Sequence, residues 1–163
     1  RHGRLPFEDG LAQYVHETMG FNYQISGYSA ALIYAQLPHL EDRIARKREI
    51  FDTYYRGFRE LDDLHAQNGT HSSNHTRWLS CFQVKSGPES RDRLCQMLWQ
   101  DGIESRPVFK PLHQQPAYKD FTYYGGEHAE KIAKTGICFP SSCDLQANEQ
   151  EKIIASVRKA LKQ

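Results

Sequence analysis

The chain has 163 residues, of which 39% are hydrophobic and 25% are charged, so its size and composition suit a single domain with a buried core. The formal net charge is +1, without the basic excess that nucleic-acid-binding proteins usually show. No stretch approaches the roughly 20 apolar residues of a membrane span. We therefore expect no nucleic acid and no membrane as partners. A cytoplasmic location is expected because residues 1–10 contain no apolar signal-peptide core and the cysteines do not suggest a disulfide framework.

Two consecutive helices are predicted after an irregular lead-in that ends near residue 24. Ala30, Ile33 and Leu37 recur at helical spacing, and the first helix is expected to run from about Ser26 to the residue before Leu37. Proline is unfavourable inside a helix but suits its first position, so Pro38 is expected to begin the second helix.

The second helix is predicted to be long and amphipathic. Its apolar stripe consists of Leu40, Ile44, Phe51, Tyr55, Phe58 and Leu61. The basic run from Arg43 to Arg48 alternates with apolar residues and is interpreted as the solvent face of this helix. A phosphate or membrane patch is the less favoured interpretation.

Beyond a polar loop at 66–76, short strands and helices alternate. Strands are predicted at 78–84, 103–109 and 136–139, and helices at 90–100, 127–134 and 148–161. An aromatic-rich loop occupies residues 111–126. Two parallel strands are usually joined by a crossover helix, so a loop at this place favours antiparallel strands. The pattern therefore predicts an α+β domain with about three short, mostly antiparallel strands packed with helices.

The cysteines and loop histidines do not form a metal-binding motif. No CxxC pair occurs among the four cysteines, which we expect to be reduced and mostly buried: Cys81, Cys95, Cys138 and Cys143. An adventitious metal site at His65, His71 and His75 is the less favoured alternative, and we expect no metal.

The segment from Ile103 to Pro116 concentrates side chains that could bind a ligand. Period-two alternation places Glu104 and Arg106 on one face of a strand, and Lys110 and His113 follow in a proline-rich loop. Arginine and lysine bind anions, and histidine can donate to a hydroxyl or phosphate group. A surface strand with a salt bridge and a loop histidine explains the same residues without a ligand.

Four stretches, in their order and spacing, resemble a known enzyme family. They are Gly20-Phe21-Asn22-Tyr23 followed by Ala30-Ala31 and Gln36-Leu37, then Arg46-Lys47-Arg48 with Tyr54, then Gly102 to Pro116, and finally Gly136 to Ser142. Together they resemble the nucleotide-sugar aminotransferases among the fold-type I enzymes that use pyridoxal 5'-phosphate (PLP). The third stretch is similar to the version in enzymes that aminate UDP-linked 4-keto-6-deoxy sugars in bacillosamine-type pathways.

The resemblance implies that this chain is the C-terminal portion of such an enzyme. Residues 1–37 would then be a remnant of the large-domain and dimer-interface segment, residues 38–65 the connecting helix, and residues 66–163 the small C-terminal domain. A stand-alone, non-catalytic module that binds a nucleotide sugar or a catalytic partner subunit is the alternative.

The resemblance also implies the chemistry of the parent enzyme. PLP, held by a lysine, would carry an amino group from glutamate to a keto carbon of a UDP-linked sugar. Asn22 matches an asparagine that reaches the cofactor phosphate of the neighbouring subunit in a homodimer, and Arg106, Lys110 and His113 match the substrate side. The Schiff-base lysine of the family lies upstream of this chain's matching segments, so we assign no catalytic residue here. We expect the 163-residue chain alone to bind PLP weakly and to be inactive.

Overall fold

The computed structural model describes residues 15, 19–21, 24–67 and 74–162. Within these ranges the helices and strands follow in the order α1 (Gly27–Tyr34), α2 (Leu40–Phe58), β1 (Leu64–Ala66), β2 (Ser80–Val84), α3 (Pro88–Gln100), β3 (Arg106–Pro107), α4 (Glu127–Thr135), β4 (Gly136–Phe139) and α5 (Ala147–Leu161). Single 3-10 turns occur at Leu37–His39, Leu112–Gln114 and Pro116–Tyr118.

The four strands form one antiparallel sheet in the order β1-β2-β4-β3. Burial alternates along β2, with Ser80, Phe82 and Val84 buried, as expected for a strand that presents one face to a core. All four residues of β4 are buried because this strand lies between two neighbours. The predicted α+β class is thus confirmed.

The described chain contains one strand more than predicted, because the second predicted helix ends earlier than expected. The prediction carried this helix to residue 65, whereas α2 ends at Phe58. Two turns follow, and they place Leu64 opposite Val84 in the sheet. Leu61 and Leu64 are both buried in this arrangement, so burial and strand pairing together outweigh continuation of the helix.

The predicted strand 103–109 is also shorter in the structure. The strand comprises Arg106 and Pro107, opposite Cys138 and Ile137, and the Val108 N–H makes one further bond to the Gly136 carbonyl oxygen at 3.0 Å. Proline has no N–H to donate to a ladder, which is why the regular pairing cannot extend far on this edge strand. Glu104 and Arg106 are both exposed, in agreement with their predicted position on one face of the strand, and Ser105 between them is buried.

The core lies between the sheet and α2, α3 and α5. Phe58, Phe82 and Phe139 form its aromatic centre, with ring centroids 5.1–5.6 Å apart. Ile153 and Val157 of α5 pack into the same cluster, and both are at least 96% buried. These contacts anchor β4, and β4 in turn holds the strand that carries Arg106.

A close helix contact joins α2 to α5. A Cβ added at Gly57 would lie 2.8 Å from the side chain of Ile154, so a larger residue at this point of α2 would push α5 away. The Arg158 guanidinium donates to the Gly57 carbonyl oxygen across the same contact, at 2.9 Å. The glycine therefore allows the last helix to approach closely enough to cover the core.

Candidate functional site

Arg106 lies at the border of an open cleft of about 600 Å³. The cleft is bordered by β3, the segment after β4, and α5, and three cations line it with two carboxylates: Lys47, Arg106, Lys152, Glu104 and Glu149. The Arg106 side chain is 47% exposed and pairs with Glu104, whose carboxylate accepts from Nε at 2.8 Å and from the terminal nitrogen at 2.5 Å. An exposed guanidinium in the lining of a cleft suits an anionic group, because it can donate charge-assisted hydrogen bonds to that group.

Two aromatic rings stand at the same cleft. Trp78 precedes β2 and Phe109 follows β3, and their rings stack with centroids 6.3 Å apart. Both side chains are about half exposed or more, at 64% and 49%. Exposed aromatic faces beside cationic groups suit a ligand with both a ring or sugar face and a negative charge. The sequence prediction missed these residues, since it assigned Trp78 only to a strand.

Part of the basic run of α2 contacts the segment after β4, and Lys47 of this run lines the cleft. The Lys47 ammonium donates to the Ser141 carbonyl oxygen, and Arg46 donates to the carbonyl oxygens of Cys143, at 3.4 Å, and Leu145, at 2.5 Å. The solvent-face interpretation was therefore wrong for Arg46 and Lys47. Their partners are carbonyl groups nearly 100 residues away, which local periodicity cannot reveal.

Tyr54 lies about two turns after Lys47 on α2 and binds the same segment. Its hydroxyl donates to the Pro140 carbonyl oxygen at 2.8 Å, and the side chain is fully buried. Burial raises the pKa of Tyr54 well above its usual range, so the hydroxyl remains a donor at physiological pH. Three side chains of α2 thus fix the backbone that leads from β4 to α5 and lines the cleft.

His113 lies in a separate cluster, although the sequence placed it near Arg106. Its Nε2 is 2.8 Å from a carboxylate oxygen of Glu130, and its ring stacks on Tyr123 with centroids 4.2 Å apart. Gly126 has a positive φ of 106°, and a Cβ there would lie 2.9 Å from the His113 ring. This packing joins the loop at 111–126 to α4, and His113 is not among the residues that line the cleft.

Lys110 is exposed and is likewise not among the cleft-lining residues. Its backbone carbonyl accepts from the side-chain amide of the buried Gln115 at 3.4 Å, which supports the turn after Phe109. Among the predicted substrate residues, only Arg106 therefore borders the cleft. Asn22, the predicted cofactor contact, lies outside the described residues.

The described residues do not fit the requirements of a PLP site. All lysines of the sequence fall in described segments, and only Lys47 and Lys152 line the cleft. Lys47 is held by a backbone carbonyl, and Lys152 is exposed on the first half of α5. A Schiff-base lysine needs an enclosed position with its nitrogen available. No chemical step can be assigned to this part of the chain.

The described residues contain neither a cluster of potential metal ligands nor a helix that could span a membrane. No group of three or more potential metal-binding side chains occurs in the described ranges, and His71 lies outside them. His75, the neighbouring histidine, accepts a hydrogen bond from the backbone N–H of Arg77 at 2.9 Å through Nδ1. No helix within 24–67 or 74–162 is long and apolar enough to cross a bilayer.

Comparisons with known proteins agree on one family. The profile of the DegT/DnrJ/EryC1/StrS aminotransferase family matches residues 1–158. The GDP-perosamine synthase of Escherichia coli O157:H7 is 37% identical over 144 residues, which cover 86% of this chain and 38% of that protein. The chain thus spans well under half the length of this curated relative.

Solved structures share the fold of the described chain. The PLP form of Spr1654 from Streptococcus pneumoniae matches with a TM-score of 0.75 and 23% identity, covering 89% of this chain and 38% of that one. S. venezuelae DesV, in complex with a ketimine intermediate, matches with a TM-score of 0.74 and 23% identity over 93% of this chain and 40% of that one. The fold is that of the C-terminal portion of a fold-type I aminotransferase, and the chain belongs to the DegT/DnrJ/EryC1/StrS aminotransferase family, whose cofactor is PLP.

Proposed function

We propose that this chain is the C-terminal portion of an enzyme that transfers an amino group from glutamate to a keto carbon of a UDP-linked deoxy sugar. The product would serve the synthesis of a cell-surface polysaccharide or glycan. The observation that carries the proposal is the open cleft, because Arg106 and two lysines border it together with exposed aromatic rings. Such a lining suits a nucleotide sugar, which combines negative charge with apolar faces.

The substrate side of the site would involve Arg106, Lys110 and His113 in different ways. Arg106 would bind an anionic group directly, since its side chain is about half exposed and lines the cleft. Lys110, exposed at the end of the same segment, would add a second positive charge when the substrate extends beyond the cleft. His113 would act as a positioning residue, because its contacts with Glu130 and Tyr123 hold the loop that follows Lys110.

The PLP site would be completed by other parts of the enzyme and by the neighbouring subunit. Asn22 would reach the PLP phosphate of the neighbouring subunit in a homodimer, and the Schiff-base lysine would come from a segment absent from this sequence. PLP supplies the electron sink for amino transfer when it is bound. The 163-residue chain alone would then bind PLP weakly and show no turnover.

Residues 1–37 would belong to the large-domain and dimer-interface region, residues 38–65 to the connecting segment, and residues 66–163 to the small domain. Exposed apolar side chains on α1 support this division. No residue of α1 is buried, and Leu32 and Ile33 are each more than half exposed. An apolar helix of this kind is stable when another surface covers it.

A GDP-linked sugar is the second candidate substrate, since the E. coli relative is named a GDP-perosamine synthase. The resemblance of the segment from Gly102 to Pro116 to enzymes of UDP-linked sugars favours the first candidate. The alternative role is that of a non-catalytic module, which would bind a nucleotide sugar or a catalytic subunit without taking part in amino transfer.

A chimera tests the proposal directly. This chain would replace the matching C-terminal portion of the E. coli GDP-perosamine synthase, and kcat/KM would be measured with glutamate and both UDP- and GDP-linked 4-keto-6-deoxy sugars. We expect an active, PLP-binding chimera whose UDP-to-GDP preference is at least about tenfold higher than that of the parent, a difference of about 1.4 kcal/mol. Retained GDP preference would favour the second candidate.

Variants of the chimera separate binding at the cleft from general damage. Arg106→Ala should lower kcat/KM roughly 10- to 100-fold, since a hydrogen bond to a charged group contributes about 1.5–3 kcal/mol. Arg93→Ala is the matched control, because Arg93 is exposed and does not line this cleft. A folded chimera that binds PLP but aminates neither sugar would contradict the aminotransferase proposal. Equal effects of the two arginine variants would contradict the role of Arg106.

A further inference from the structure

Two cysteines face each other across the centre of the sheet. Cys81 in β2 is the register partner of Cys138 in β4, and their Sγ atoms are 3.2 Å apart. Directly opposed residues of antiparallel strands have Cα atoms about 4.5–5.5 Å apart, within the range of about 4.4–6.8 Å found for disulfides. A disulfide bond is about 2.05 Å long, so the sulfur atoms need to approach by only about 1 Å.

This pair is placed where a reagent can reach it. Cys81 is partly exposed, and Cys138 is 8% exposed and lines the cleft described above. Among the described residues, neither of the other two thiols combines exposure with a contact to a second sulfur. Cys95 is 99% buried in the core, and the Sγ of Cys143 lies 3.9 Å from the Arg43 carbonyl oxygen. Only the first pair therefore combines access with a second sulfur in contact.

The two thiols differ in acidity. The hydrogen bond from the Cys138 thiol is the main cause that lowers the pKa of Cys81, and the Arg77 guanidinium adds to it against the effect of burial. The same hydrogen bond, together with burial, raises the pKa of Cys138. Since the thiolate is the nucleophile in thiol–disulfide exchange, Cys81 is the attacking group and Cys138 the second thiol.

We propose that Cys81 and Cys138 form a redox-active dithiol that reacts with low-molecular-weight disulfides. The Cys81 thiolate attacks one sulfur of the reagent and forms a mixed disulfide, and the first small thiolate leaves. Cys138 then loses its proton and attacks the Cys81 sulfur, so that the second small thiolate leaves and the Cys81–Cys138 bond forms. The dithiol is oxidised by two electrons, and the reagent is reduced to two small thiols.

The bond would link β2 to β4 directly beside the cleft. Arg106 is the register partner of Cys138 on the other side of β4, so the three side chains form one row across the same face of the sheet. Movement of the Cys138 sulfur toward Cys81 draws it away from Arg106. The redox state of the pair thus acts on the surroundings of the residue that borders the ligand cleft.

The test uses the 163-residue chain with oxidised glutathione as the reagent. Free thiols are counted with a chromogenic disulfide, and linked peptides are located by mass spectrometry after trypsin digestion. We expect two of the four free thiols to be lost, with peptide 78–85 joined to peptide 135–152, and recovery of both thiols by reduced glutathione. Because peptide 135–152 contains both Cys138 and Cys143, Cys143→Ala must give the same link.

A trapping variant tests the order of attack. Cys138→Ala should accumulate glutathione on Cys81, whereas Cys81→Ala should leave Cys138 unmodified. Circular dichroism checks that each variant is folded. If either variant is unfolded, the proposal is tested on the wild-type chain and on Cys143→Ala, in which the disulfide must join Cys81 to Cys138. A folded chain that keeps four free thiols, a link through Cys143, or separate glutathione adducts on Cys81 and Cys138 would overturn the proposal.

Discussion

Helices α1 and α5 contain similar apolar side chains but differ in what covers them. In α5, Ile153 and Val157 are at most 4% exposed and pack into the core between α2, α3 and the sheet. In α1, Ile33 is 51% exposed, and no residue of the helix is buried. The difference indicates that an apolar helical face requires a surface that covers it. The described residues provide this surface for α5 but not for α1.

The largest expected effect comes from one substitution made in both helices. Ile153→Ala should lower the free energy of unfolding of the 163-residue chain by about 2–5 kcal/mol, because it leaves a cavity in the core. Ile33→Ala, the matched control, should change it by less than about 0.5 kcal/mol, as at other exposed sites. Urea unfolding followed by circular dichroism measures both, and similar losses in the two variants would contradict the comparison.

The same pair of variants also tests what covers α1. In the chimera with the E. coli enzyme, Ile33→Ala should become as destabilising as a core substitution, because the added portion would bury the α1 face. An unchanged, neutral effect of Ile33→Ala in a folded chimera would mean that the added portion leaves α1 exposed, and would contradict the proposed division at residue 37.

A smaller effect is expected within α2, which has a buried and an exposed side. Tyr54→Phe should lower the free energy of unfolding by about 1–3 kcal/mol, since the Pro140 carbonyl would lose a buried donor. Tyr55→Phe is the control, because the neighbouring Tyr55 is 53% exposed. Chemical denaturation of both variants measures the difference, and a neutral Tyr54→Phe would indicate that the contact contributes nothing.

The smallest effect is expected at the loop that contains His113. His113→Ala removes the contact with Glu130 and the ring stack on Tyr123, and should cost about 1 kcal/mol and speed proteolysis within residues 111–126. His128→Ala provides the control, because His128 is exposed on the same helix as Glu130. Equal cleavage rates in the two variants and the wild type would argue against the positioning role of His113.

Much of the fold could be predicted from local sequence, as α3, α4, α5 and β4 show. The three helices have a strong periodic pattern, and the turn at Asp101-Gly102 marks the end of α3, although α3 begins at Pro88, two residues before the predicted start. Strand β1 could not be predicted, because its three residues pair with β2 only after the chain has turned back at Leu61. Short strands have too few residues for periodicity to identify them.

The candidate site was less predictable than the fold. The sequence grouped Arg106, Lys110 and His113 because they lie within eight positions, and it correctly placed Arg106 on the same face as Glu104, with which it pairs. The turn after Phe109 directs His113 to α4 instead of the cleft. Lys47 borders the cleft from a helix about 60 residues earlier, which no local pattern connects with Arg106.

The sequence by itself determined the α+β class, the helices α3, α4 and α5, and the family, because periodicity, helix ends and ordered motifs are local properties of the chain. Tertiary structure alone decided that Lys47 and Tyr54 hold the segment after β4, and that Cys81 meets Cys138. The physical reason is that a strand register and a helix-to-loop contact depend on the burial of side chains far apart in sequence. A shift of one residue would turn Cys81 toward the core and Phe82 toward solvent.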